Sequence, residues 1–142
     1  MQEISFEEAL EKIQAKDPRY HREAYLFVKE GLDHTQKTIG KDKRGRIRHV
    51  TGQELLTGLR QYALAQYGPM TMTVLEEWGV HSCRDFGEIV FNMVGAGWLA
   101  KTEGDSIADF EGGYSFFDAF RKPFLPAESK KAEKAEPKST GT

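Results

Sequence analysis

Cysteine is nearly absent from this sequence: Cys83 stands alone, so no internal disulfide can form, and a reducing compartment suits the chain. Long apolar runs are missing as well. No stretch approaches the roughly 18 apolar residues that a bilayer-spanning helix needs. Met1-Gln2-Glu3-Ile4 has neither the basic nor the apolar region of a signal peptide, so the expected setting is the cytoplasm, with no membrane partner. The sequence also lacks a Walker loop, a dinucleotide fingerprint, a nucleophile elbow and a zincin pair. Gly95-Ala96-Gly97 has no third glycine and follows a predicted helix instead of a strand. Repeats of 20 to 50 residues and heptads are absent too, which excludes solenoids and coiled coils.

What is present suits a folded domain. Hydrophobic residues make up 39% of the chain and aromatics 11%, enough to fill a core. Charge is unevenly placed within a net −2. After Pro126, Lys130, Lys131, Lys134 and Lys138 alternate with Glu128, Glu133 and Glu136, and no apolar residue exceeds alanine. Such a segment cannot bury enough surface to offset its ordering entropy, so residues 127–142 are expected to be a disordered tail and residues 1–126 the folded domain. Within that domain Lys41, Lys43, Arg44, Arg46 and Arg48 crowd a loop with Asp42, a basic loop on an otherwise acidic body.

Five helices can be read from periodicity and caps. Ser5 and Glu8 form a capping-box pair before Phe6, Ala9, Leu10 and Ile13. Asp17-Pro18 reads as an N-cap with proline at the first helical position, opening a second helix with the stripe Tyr20, Ala24, Phe27, Val28 and Leu32. Thr51 and Glu54 repeat the capping box ahead of Leu55, Leu59, Tyr62 and Ala63, and Gly68-Pro69 stops this third helix. A short helix around 70–78 ends at Gly79, a left-handed C-cap, and Ser82 with Asp85 opens a fifth that Gly97 closes. The fold class is therefore mainly α, a bundle of about five helices. Short helix, tight turn and longer helix, followed by Trp98-Leu99-Ala100, is the order of a helix-turn-helix leading into a short two-stranded wing near Trp98. Ser106-Ile107-Ala108-Asp109-Phe110 and residues 116–120 read equally well as helical turns, and both alternatives stand at this point.

His49-Val50-Thr51-Gly52-Gln53-Glu54-Leu55-Leu56, Tyr67-Gly68-Pro69-Met70, Val74-Leu75-Glu76-Glu77-Trp78-Gly79-Val80, Asp85-Phe86-Gly87-Glu88-Ile89-Val90-Phe91-Asn92 and Ala119-Phe120-Arg121-Lys122-Pro123-Phe124 resemble a small family of bacterial proteins found mainly among planctomycetes and verrucomicrobia. The resemblance covers the body without the tail. It implies a bacterial cytoplasmic origin, and it assigns neither an activity nor a catalytic residue.

Five features bear on chemistry or binding. His81 and Cys83 offer a nitrogen and a sulfur to a metal, but a structural zinc site needs four ligands and no second pair has ligand spacing, so no metal or other cofactor is expected. Glu30 and His34, one helical turn apart, suit an oriented general base, yet no nucleophile or oxyanion donor goes with them. The basic loop can contact successive phosphates through Lys41, Lys43, Arg44, Arg46 and Arg48, but no aromatic interleaves with these cations for base stacking. At the start of the fifth helix, Arg84, Asp85 and Glu88 are the wrong balance of charge for approaching DNA.

Aromatic density is the fifth. Phe110, Tyr114, Phe116, Phe117, Phe120 and Phe124 place six of sixteen aromatics within fifteen residues. Adjacent Phe116 and Phe117 cannot both enter one helical stripe, so one ring is left outside. With Tyr114, Phe116 and Phe120 as the inward set, Phe117 stands at its edge beside Arg121 and Lys122, an aromatic anchor with a cationic rim. The expectation is a non-enzymatic adaptor or regulator that docks a bacterial protein through Phe117, Arg121 and Lys122. Nucleic acid on the basic loop is the alternative.

Overall fold

A computed structural model of the chain describes residues 5–39, 50–99 and 106–126. The basic loop 41–48 and the tail 127–142 lie outside the described residues. Helix α1, Phe6–Lys16, begins as its capping box predicts: Glu8 N–H donates to Ser5 Oγ at 3.1 Å and Ser5 N–H to Glu8 Oε1 at 3.0 Å. Ala9, Leu10 and Ile13 are its buried face.

Asp17-Pro18 does not open the second helix. Asp17 ends α1, its N–H donating to Ile13 O at 2.7 Å, and its carboxylate turns to Arg19, accepting from Nε at 2.8 Å and Nη2 at 2.7 Å. With that side chain committed, helix α2 starts four residues on, at Arg22–Ile39, where His21 Nδ1 accepts the Glu23 N–H at 3.0 Å and does the capping. Tyr20 is buried, but in the turn ahead of the helix.

Helix α3, Gly52–Tyr67, carries the second capping box, with Glu54 N–H to Thr51 Oγ1 at 3.1 Å, and ends at Gly68 with φ of +51°. It packs closely on α2. At Gly58 an added methyl would overlap the Thr35 side chain, so the backbone approach demands glycine; the Thr35 hydroxyl, buried there, donates to Gly31 O at 2.8 Å. A 3₁₀ turn, Gly68–Met70, leads into α4, Thr71–Glu77. Gly79 is left-handed as predicted, with φ of +88°, and it also lies so near the Arg19 carbonyl that a side chain would collide with backbone.

Helix α5, Cys83–Gly95, buries Cys83, Phe86, Gly87, Ile89 and Met93. Ser82 is its N-cap, as the Ser82–Asp85 spacing suggests, but no side-chain capping bond joins the two. Asp85 instead accepts from Tyr20 Oη at 2.5 Å and from His81 N–H at 2.8 Å, so a long-range tyrosine takes the carboxylate that the cap would have used. The same end of the molecule holds a ladder of ion pairs: Arg19 with Asp17 and Glu88, Arg84 with Glu88 and with Glu111. Asn92 Nδ2 adds bonds of 3.0 Å to Asp17 Oδ2 and to Tyr25 Oη. Together, the Arg19 guanidinium first and Asn92 after it, these partners hold the Asp17 carboxyl far below the usual carboxylate range.

The wing near Trp98 is a correction. Among the described residues there is no strand; Trp98 and Leu99 finish the cap of α5, both donating to Met93 O, at 2.9 and 3.3 Å, and Trp98 packs edge-on against Phe6 at 5.1 Å. A ring tucked against α1 and N–H groups bonded back to the helix keep Trp98 and Leu99 out of a strand, and residues 100–105 lie outside the described residues. Residues 107–110 then form a 3₁₀ turn, Ile107–Phe110, with Phe110 lying over Gly87. No helix among the described residues is long and apolar enough to cross a membrane.

Candidate interaction surface

The last described segment, 106–126, crosses the helices as a strap. Its attachment begins at Phe110, buried over Gly87, and continues at Tyr114, whose hydroxyl donates to Leu56 O at 2.8 Å and whose backbone meets Cys83 twice at 3.4 Å. There the Tyr114 N–H donates to the sulfur and the thiol donates to the Tyr114 carbonyl. Burial pushes the Tyr114 hydroxyl well up, and it pushes the Cys83 thiol up too. Both groups are structural fasteners in these surroundings. Cys83 points into the core while His81 is exposed, so the sulfur and the imidazole do not share a site.

Beyond Tyr114 the chain turns as a π-helix, Phe117–Arg121, started by Ser115, whose carbonyl accepts from Ala119 N–H at 2.9 Å and whose Oγ accepts from Asp118 N–H at 3.2 Å. Phe116 and Phe120 enter the core with Tyr114 beside them. Phe120 is completely buried, 5.0 Å from Phe116 and 5.8 Å from Tyr114, and Phe116 continues the contact inward to Phe86 at 5.6 Å. The wide π turn swings the intervening residue outward: Phe117 is 37% exposed against 6% for Phe116.

Lys122–Phe124 closes the strap with a 3₁₀ turn that leaves Phe124 44% exposed. Against the π turn rests the Gly68–Met70 turn, where Met70 is 56% exposed. These are the only large apolar side chains left exposed among the described residues, and the three turns that carry them touch in series. Arg121 is exposed and Lys122 half-buried on the same turns, with Asp118 as the one acid among them. Single exposed hydrophobes are ordinary on a protein surface; here three lie on neighbouring turns that also carry two cations.

Met70 was not in the sequence-based set, because its place beside the strap depends on a contact across about fifty residues. Phe117 and Arg121 are exposed on the π turn, and Lys122, half-buried, opens the 3₁₀ turn that follows it. Glu30 and His34 are not a free pair: Tyr62 stands between them, its hydroxyl donating to Glu30 Oε1 at 2.9 Å and its ring 5.5 Å from the His34 ring. Lys41, Lys43, Arg44, Arg46 and Arg48 lie outside the described residues. No family model, curated protein or solved structure matches the chain.

Proposed function

We propose that this chain is a protein-interaction module, an adaptor or regulator of the bacterial cytoplasm, which docks a partner on the strap. The single observation that carries this reading is the exposure of Met70, Phe117 and Phe124 on three turns that touch in series and also carry Arg121 and Lys122. Rigid attachment supports it. Tyr114 and Phe120 fix the strap from beneath, so a partner that covers the exposed rings need not order them first. The occupant that fits is an apolar segment flanked by carboxylates, its side chains covering the rings while its charges meet Arg121 and Lys122.

Affinity capture from a bacterial lysate tests this, with and without nuclease, using three forms of the chain. Phe117→Ser with Phe124→Ser should remove the captured protein, and joint substitution of Lys43, Arg44, Arg46 and Arg48 by alanine should leave it. The reverse pattern, with capture abolished by nuclease and by rising salt, would overturn the strap reading in favour of nucleic acid on the basic loop.

A further inference from the structure

A second aromatic cluster lies where α2, α3 and the end of α4 meet. Buried Phe27 is its base, with Tyr62 at 5.6 Å, Trp78 at 5.8 Å and Tyr67 at 6.3 Å around it. Tyr67 and Trp78 stand nearly perpendicular, 82° apart with centroids at 5.9 Å, and these two rings and Tyr62 are all partly exposed. Glu23 and Glu30, two turns apart on α2 and both exposed, border the rings, and the Tyr62 hydroxyl bonds Glu30.

Nearby cations are drawn elsewhere. Lys29 sits over the Phe6 ring, Arg22 bonds Glu7 and Arg19 bonds Asp17. Among the described residues no lysine or arginine pairs with Glu23 or Glu30. Burial, and after it the charges of Glu30 and Glu23, push the Tyr67 hydroxyl up, as expected at an edge of negative potential.

We infer that this edge is a binding surface for the lysine or arginine side chains of a cationic segment on a protein partner, held between the rings of Tyr62, Tyr67 and Trp78 and the carboxylates of Glu23 and Glu30. Indole and phenol faces attract cations through their quadrupoles, most strongly when a partner excludes water, and an adjacent carboxylate adds a charge-assisted bond. The preference is opposite in sign to that of the strap, whose rim is cationic, so this surface neither rests on the strap reading nor falls with it.

The probe is a hexa-arginine peptide titrated at low salt. The chain has two tryptophans, and Trp98→Phe leaves Trp78 as the sole reporter; calorimetry on the unaltered chain gives the same comparison if that variant folds poorly. A saturable change in Trp78 emission is expected, weakening as salt rises. Glu23→Gln with Glu30→Gln should weaken binding about tenfold. Glu11→Gln with Asp118→Asn makes the same change of charge at exposed sites on α1 and the strap, and should weaken it less than about twofold. Absence of saturation by about 1 mM peptide, the weak end of specific affinity, would overturn the inference. Equal losses in the two double variants would overturn it too, by reducing the effect to general attraction between peptide and acidic body.

Discussion

Removing one ring at a time from the strap separates a surface anchor from a core wedge. Phe120→Ala empties a site with no solvent exposure, bounded by Tyr114 and Phe116. The lost transfer energy and the enclosed cavity together should cost about 3–5 kcal/mol. Phe117 is covered over roughly two thirds of its surface. Full burial of a phenylalanine is worth about 1.5–3 kcal/mol, so Phe117→Ala should cost about 1–2 kcal/mol, with no closed void added because water reaches the site. Urea denaturation followed by far-ultraviolet circular dichroism measures both, and unchanged m-values establish that the native and denatured states keep their compactness. Partner capture should be lost with Phe117→Ala although the variant stays folded. If Phe117→Ala proves as costly as Phe120→Ala, its ring belongs to the core, and the interaction surface drawn through Phe117 is wrong.

The helix contact and the ion-pair ladder each give a further expectation. Gly58→Ala should lower stability by about 1–3 kcal/mol through overpacking against the Thr35 hydroxyl, while adding Thr35→Ala, which removes that hydroxyl, recovers part of the loss in thermal melts. Asp17→Asn should cost about 1 kcal/mol at pH 7, a discounted figure because Arg19 is half exposed. The Asp17 carboxyl is depressed in the folded state, so its contribution is fully present above the ordinary Asp value of about 3.9 and fades as pH falls below it. The gap in melting temperature between the natural chain and Asp17→Asn should accordingly begin to narrow at about pH 4 and go on narrowing as the pH falls further, and a gap that stays constant from pH 7 down to about pH 2 would exclude the charge as its cause.

Local signals in the sequence reported local structure well. The capping boxes at Ser5 and Thr51 involve residues three apart, and the glycine stops at Gly68 and Gly79 depend on their own backbone angles, so neighbours alone decide them. The errors arose where a distant side chain competed for the same group. Asp85 has the spacing of a cap, but Tyr20, sixty-five residues away, takes its carboxylate. Asp17 has the spacing of an N-cap, but Arg19 and Asn92 claim it. Trp98-Leu99 has the apolar character of a strand, and the ring of Phe6 and the carbonyl of Met93 occupy it first. The candidate surface divides in the same way: the outward turn of Phe117 follows from its adjacency to Phe116, whereas the place of Met70 beside it is a tertiary contact with no local signature.

The strap has a consequence for the time order of folding. Phe116 and Phe120 close the core against Phe86, and Tyr114 fastens to Leu56 and Cys83, yet all of these strap residues follow the five helices along the chain. During vectorial synthesis α1 to α5 therefore emerge before the rings that complete their interior exist. Until then the nascent helices must leave the Phe86 side open to solvent or to a chaperone, and the last cooperative step waits on translation past Phe120.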